Sequence, residues 1–374
     1  MKWLCFTTAL LLWSTGSAQR SPFNGLQVLP ADSNGHYRIL IGGHFHGEST
    51  NRSGYPAATL LANLDTINAL GANLFLSTGD LFMDPVNDWP RYDRSLFSKL
   101  KMPLFNAPGN HDVDDDLERE HSGLSDSMWR VREYVPGLGI LNPYLSQLSR
   151  MLTLEEVRLL EQARGDDFVL LDTESQEGMA NDQAISYLHD VVENVVARRT
   201  RSVFILSHRP IWAEDDPEYS PLFEGNTRSL TGTNFKKDVY PLLEKIAEHA
   251  HVYWISGSMG GQAPSSIFFQ QHAKNITYIQ CAIRDEPRDA LLIADVYPDT
   301  VKWSALSLTG QTLLAPEAYD AKWWRAHLGK SEGFNWRLLP YLVKSIVTHR
   351  AFWWGAGVMA LIVLLLARLR RARS

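Results

Sequence analysis

Short apolar runs that stop at glycine or another turn residue set the pattern of this chain. Residues 37–41 (Tyr-Arg-Ile-Leu-Ile), 73–77, 104–107, 167–172, 202–206 and 251–255 each have the length of one strand. Between the first two, 56–70 carries Leu60, Leu61, Leu64, Ile67 and Leu70 at helical spacing and ends at Gly71. Strand, helix, strand in that order predicts a parallel βαβ unit, with ligands held at the carboxyl ends of the strands. A long helix is predicted after 167–172, carrying Gln183, Leu188, Val191, Val192 and Val195, and an amphipathic one over 236–249. Thr153-Leu-Glu-Glu156 has the form of a capping box and predicts a short helix ending at Gly165. Residues 122–142 keep no period and read as an insertion over the site, and the acidic run 112–120 as a solvated loop or helix start. Beyond 260, the stretches 267–269, 276–282, 290–297 and 301–306 alternate or run apolar between turns, which predicts an antiparallel finish.

The two ends carry other patterns. Lys2, an apolar stretch at 3–13 and small residues at 14–18 have the form of an export signal cleaved after Ala18. Residues 351–367 contain no charge, and Arg368, Arg370, Arg371 and Arg373 follow. A helix over that stretch is about 25 Å long, and flanking residues would extend it toward the ~30 Å hydrocarbon core of a bilayer. Trp353 and Trp354 suit an outer interface and the arginines a cytoplasmic one. The expected division is a signal peptide at 1–18, a globular domain at 35–315, a juxtamembrane segment at 316–349, a membrane helix at 350–368 and a basic tail at 369–374. The same ending also fits a sorting signal that is later removed.

Composition narrows this picture a little. A chain of 374 residues with 45% hydrophobic content can bury a full core, and a net charge of -6 disfavours nucleic acid as a partner. Of two cysteines, Cys5 falls in the signal, so Cys281 is left without a partner for an internal disulfide. Asn51-Arg-Ser and Asn275-Ile-Thr match glycosylation acceptors, a pattern that chance often supplies.

The strand-like runs deliver the chemistry. They end in Gly42-Gly-His-Phe-His-Gly47, Gly79-Asp80, Gly109-Asn-His-Asp112 and Ser207-His208-Arg-Pro210. The third of these puts an amide oxygen, an imidazole and a carboxylate on one tight loop, which can serve a metal and a reacting phosphate together. Taken singly, Asp80 and Asn110 also suit turns, and His46 and His208 ordinary loops.

In combination, this order of strands and motifs resembles the calcineurin-like metallophosphoesterase superfamily, in the branch of purple acid phosphatases and cyclic-nucleotide phosphodiesterases, over roughly 37–308. The Leu171-Asp-Thr173 strand end before the Gln183 helix is similar to the family as well. The resemblance implies a four-layer αββα sandwich holding one or two divalent metal ions (Fe, Mn or Zn) that clamp a phosphate ester for in-line hydrolysis. It implies Asp80 as the carboxylate bridging both ions, Asn110 and His208 on the second, and His46 with His44 on the first. His111 would protonate the leaving oxygen. Asp84, Asp112, Arg209 and Ser258 are the candidates to support these groups or to touch substrate.

Three positions depart from the family. His44 stands where the family has Asp, removing one negative charge. Gly257-Ser-Met-Gly260 stands where the family has Gly-His-x-His. His251 is about 20 Å away at the other end of its strand and cannot substitute, which leaves His272 as a remote candidate. Met83 stands where an Asp often occurs, and Asp84, one residue later, is the group that could orient His111. Two functions follow. One is a metal-dependent phosphoesterase with a ligand-depleted site, anchored in a membrane and acting outside the cytoplasm. The other is a catalytically inactive pseudophosphatase, a membrane-tethered binding or scaffolding module.

Overall fold

The computed structural model describes residues 20–29, 31–48, 51, 53–112, 149–153, 165–171, 173–174, 179–213, 216–223, 233–258, 265–329, 336, 339–348 and 350–373. The expected signal peptide, the 122–142 insertion and nearly all of the helix expected from 153 lie outside them; Thr153 itself ends a strand.

The predicted strands, joined by an edge strand at 149–153 that the sequence does not predict, assemble into two sheets. In the first, β1 (Tyr37–Gly42), β2 (Leu74–Ser77) and β3 (Leu104–Asn106) are parallel neighbours. Strands β10 (Ala290–Val296) and β11 (Val301–Ser307) extend it antiparallel, in the order β11-β10-β1-β2-β3. The second sheet contains β4 (Ser149–Thr153), β5 (Asp167–Leu171), β6 (Ser202–Ser207), β7 (His251–Ser256), β8 (Ile267–Ala273) and β9 (Ile276–Cys281). Its order is β4-β5-β6-β7-β9-β8, parallel except for the edge strands β4 and β8. The antiparallel finish is thus divided: the β8–β9 hairpin joins one sheet, with β9 parallel to β7, and the β10–β11 hairpin joins the other.

Side-chain alternation then builds the layers. On β1, Tyr37, Ile39 and Ile41 enter the core between the sheets, while Leu40 joins Phe75, Leu104 and Leu291 on the outer face. That outer face is covered by α1 (Ala58–Ala62), α2 (Leu64–Ala69) and α3 (Pro85–Ser95). The second sheet is covered by α4 (Asp182–Arg198) and, beyond the single turn α5 (Ser220–Phe223), by α6 (Tyr240–Ala247). Leu188, Val191, Val195, Leu243 and Ile246 are its buried contacts, each stabilising the fold by roughly 1.5–3 kcal/mol. The architecture is the expected αββα sandwich.

Local chemistry explains where helices begin and end. The single helix expected over 56–70 is two, because the Asn63 side chain donates to Thr59 O at 2.8 Å and Leu308 O at 2.6 Å, breaking the run. Helix α3 has no counterpart in the sequence reading; Asp84 caps it by accepting from Asn87 N at 3.2 Å, and Pro85 opens it. Asn181 caps α4 by accepting from Ala184 N at 2.8 Å, and Arg199, at φ 57°, ends it. The helix expected over 236–249 begins as a wider π turn at Phe235–Val239.

At the amino ends of the strands, Asp166 ties the sheets together. It accepts from Tyr37 Oη at 2.6 Å and pairs with Arg201, whose Nη1 reaches Tyr297 O at 2.6 Å. Both glycosylation-type asparagines are used internally: Asn51 Nδ2 donates to His46 O at 2.6 Å, and Asn275 Nδ2 to Ala247 O at 2.9 Å. Cys281 is buried, and burial pushes its thiol up to about 12. After α7 (Ala321–His327) come α8 (Leu339–Thr348) and α9 (Arg350–Arg373). Among the described residues, one helix, over Arg350–Leu369, is long and apolar enough to cross a membrane, and its side chains are exposed.

Candidate metal centre

The carboxyl ends of β1, β2 and β3 meet those of β6 and β7, bringing five loops together. His44 and His46 follow β1, Asp80 follows β2, and Asn110, His111 and Asp112 follow β3. His208 follows β6, and Gly257 and Ser258 follow β7. Two glycines permit this approach. Gly79 has φ 99°, and a Cβ there would lie 2.7 Å from His208 Nδ1; a Cβ on Gly109 would collide with the Asp80 carboxylate.

Three imidazoles converge on one carboxylate oxygen. His208 Nε2, His46 Nε2 and His44 Nε2 lie 3.3, 3.4 and 3.5 Å from Asp80 Oδ2. His46 is aligned for a hydrogen bond to that oxygen. His44 Nε2 and His208 Nε2 are buried, close to it, and have no hydrogen-bond partner. For an ion with ligands at about 2.1 Å, neighbouring ligand atoms are about 3.4 Å apart in tetrahedral geometry and about 3.0 Å in octahedral geometry. Ligand atoms spaced like this, with nitrogens aimed at an oxygen they do not hydrogen-bond, fit a divalent cation. The His44, His46 and Asp80 donor atoms all lie within 4.8 Å of one another.

The surroundings fix the tautomer and the charges. His208 Nδ1 lies 3.0 Å from Thr78 O, which can only accept, so its proton sits on Nδ1 and Nε2 points to the cluster. Burial by itself would lower His208, but the Asp80 charge outweighs it and lifts the imidazole to about 9. Burial drives His44 well below the ordinary imidazole range, so His44 is neutral. Burial would raise Asp80, yet His208, His46 and His44 together hold it well below the usual carboxylate range. A cation would displace the extra His208 proton.

Each expected site residue can now be placed. His111 donates its backbone N–H to Asp80 Oδ1 at 3.0 Å, and its ring meets that of His46 edge-on at 5.3 Å. Asn110 is half-buried on the same turn, between Gly109 and His111. Asp112 braces two loops: Oδ1 accepts from Leu81 N at 2.9 Å and Phe82 N at 3.2 Å, and Oδ2 from Gly109 N at 3.0 Å and Asn106 Nδ2 at 2.9 Å. Burial, with the Asp80 charge nearby, pushes Asp112 up to about 6. Ser258 is buried and donates its N–H to His208 O at 2.7 Å, beside Gly257 N at 2.9 Å. Arg209 Nε donates to both Glu174 carboxylate oxygens at 3.0 Å. Asp84 is the α3 cap already described. His272 is remote from the cluster: it bonds Tyr219 Oη at 2.9 Å and stacks on Tyr278. His251 is exposed at the start of β7, as expected.

Sequence reasoning missed Thr78 and Glu174. Thr78 was visible next to Gly79-Asp80, but its role is played by a carbonyl that every residue has. Glu174 becomes a partner of Arg209 only when β5 and β6 pair.

No curated protein sequence matches the chain. Solved structures similar to it include one titled as GAP50, the anchor in the inner membrane complex of Plasmodium, at 10% identity and TM-score 0.46, covering 80% of this chain and 98% of that one. A dimetal phosphatase from Danio rerio is similar at 11% identity and TM-score 0.44, covering 75% of this chain and 98% of the other. A purple acid phosphatase from yellow lupin (Lupinus luteus) seeds is similar at 10% identity and TM-score 0.45, covering 77% and 54% respectively. The sequence profile of the calcineurin-like phosphoesterases matches residues 37–239, more than half of the chain, and the chain belongs to that family.

Proposed function

We propose that this protein is a metal-dependent phosphoesterase that hydrolyses a phosphomonoester or phosphodiester while anchored in a membrane by α9, its large domain outside the cytoplasm. The observation that carries this reading is the convergence of three imidazole nitrogens on Asp80 Oδ2, two of them buried without a hydrogen bond. His44, His46 and Asp80 would hold a first cation, and His208 and Asn110, with Asp80 shared between the two, would hold a second. The imidazole-rich set suits Zn or Fe better than Mg or Ca. Such a cation supplies Lewis-acid stabilisation of the phosphoryl oxygens and a more acidic attacking water. The chain's own residues do the rest. Asp80 and its imidazoles fix the position of the charge, and Asp112 holds the two loops in register. His111, at the rim, delivers a proton to the leaving oxygen.

The pseudophosphatase reading is favoured by one observation. Gly257 and Ser258 support His208 through backbone N–H groups and bring no imidazole to the site. The two readings separate in one experiment on the full chain in detergent. Metal content is measured after equilibration with trace Zn, Fe or Mn, together with hydrolysis of p-nitrophenyl phosphate and its bis ester. The enzyme reading expects about one or two ions per chain, lost in Asp80→Ala. It also expects turnover lost in His111→Ala while metal is retained. Metal without turnover on any ester supports the binding module, and no metal sinks the hydrolytic mechanism.

A further inference from the structure

We propose that α8 lies flat in the interfacial layer of the bilayer, so that the domain is seated on the membrane surface and does not hang from α9 on a free tether. This rests on the reading of α9 as a membrane span and adds a second, separate contact. Leu339, Val343 and Ile346 follow the i, i+4, i+7 spacing of one helical stripe and are 41%, 47% and 55% exposed. Trp336, just before the helix, is 73% exposed. By sequence spacing alone, positions 341, 344 and 348 fall on the other side of a 3.6-residue period. A soluble domain that bears an apolar stripe on an outward face needs something to cover it.

The chain itself says what covers it. A single residue separates the end of α8 at Thr348 from the start of α9 at Arg350. Two Cα steps of about 3.8 Å place the end of α8 within ~8 Å of the candidate span, at headgroup level. Ten residues of helix are about 15 Å long, while the interfacial zone on one side of a bilayer is only ~5–8 Å deep. Standing upright, α8 would carry Leu339 and Trp336 into water; lying flat, it keeps Leu339, Val343 and Ile346 in the apolar–polar boundary. Its other neighbour is α1. Helix α1 starts beside the histidine loop, where Ala57 N–H donates to Phe45 O at 2.7 Å, between His44 and His46. A seated α8 therefore fixes the height of the metal centre above the bilayer.

The test uses the full chain in phosphatidylcholine–phosphatidylglycerol vesicles, in a Cys5→Ser background, with Cys281 buried. An environment-sensitive fluorophore is attached at Leu339→Cys, Val343→Cys, Ile346→Cys, Lys344→Cys or Val358→Cys. Quenching is read with shallow and deep nitroxide lipids and with aqueous iodide. The expected result is quenching of the three stripe positions at least fivefold stronger by shallow nitroxide than by iodide, the reverse at Lys344→Cys, and deep-nitroxide quenching at Val358→Cys. Deep quenching at Val358→Cys with only iodide quenching along α8 overturns this proposal and leaves the anchor standing. Stripe positions shielded from both quenchers in proportion to protein density would mean that a second copy covers the face, and would also overturn it. No lipid quenching at Val358→Cys removes the anchor and this proposal together.

Discussion

Asp80 occupies φ 57°, a left-handed conformation that costs a non-glycine residue about 1–3 kcal/mol and is sustained only by its surroundings. His44, at φ 55°, is in the same condition. The constraint comes from His111 N–H on Asp80 Oδ1, from the four bonds of Asp112, and from the contact of Gly109 with the carboxylate. Gly109→Ala should therefore displace Asp80, cutting metal affinity at least tenfold and stability by about 1–3 kcal/mol; calorimetric titration and urea unfolding measure the two. Asp80→Ala removes the oxygen on which three imidazoles converge, and should abolish metal binding while sparing the fold.

A second buried acid gives a pH prediction away from the centre. The Thr59 hydroxyl has one proton and two carboxylate neighbours, Asp285 Oδ1 at 3.1 Å and Asp289 Oδ2 at 2.8 Å. When it donates to Asp285, Asp289 must itself carry a proton to complete the second bond. Burial first, and the Asp285 charge second, push Asp289 up to about 7. The folded state thus holds a proton that the unfolded chain releases near pH 4. Stability should fall as pH rises from about 4 to 7 and level off above, by up to about 4 kcal/mol from this group. Asp289→Asn, whose amide donates permanently, should flatten that slope; equal slopes in wild type and variant between pH 5 and 8 would contradict the assignment.

At the scale of elements, the strands other than β4 were legible because a buried strand needs little more than a short apolar run with a turn behind it; β4 (Ser-Arg-Met-Leu-Thr) has no such run. Helix boundaries were less so, since side-chain bonds from distant residues set them. Asn63 breaks one expected helix partly through Leu308 O, a residue 245 positions away. Helix α3 escaped notice because Pro90 reads as a helix breaker and only a few apolar residues mark its buried face. Where the cap is local, the effect should be local. Asn181→Ala removes the acceptor for Ala184 N and should cost about 1 kcal/mol in thermal or urea unfolding, with metal affinity unchanged.

For the whole molecule, Asp166 closes the amino end of the sandwich while the cluster of Asp80 and its histidines occupies the carboxyl end. The two sheets are thus tied at opposite ends by different chemistry. Deleting 337–374 removes α8 and α9 and should leave the sandwich folded. The truncated protein should stay in the supernatant after alkaline extraction of membranes, whereas the full chain should sediment. Recovery of both in the same fraction would count against the anchor.

The sequence alone carried the residue types, their order and their placement after apolar runs. Those rest on local rules: a period of two for strands, glycine where the chain must turn, and a charge-free stretch long enough for a bilayer. It therefore determined most of the strands, the apolar final helix and the motifs that carry His44, His46, Asp80, Asn110, His111 and His208, and it was the resemblance of those motifs to a known family that implied the sandwich and a common site. The tertiary structure decided what each of them meets. Thr78 O sets the His208 tautomer, and Ser258 braces His208 where an imidazole was missing. Arg209 turns to Glu174, and Asp112 ties two loops together. Thr78 O reaches His208 only when the two sheets pack together, whereas the other contacts join loops of neighbouring strands within one sheet and are fixed by strand pairing.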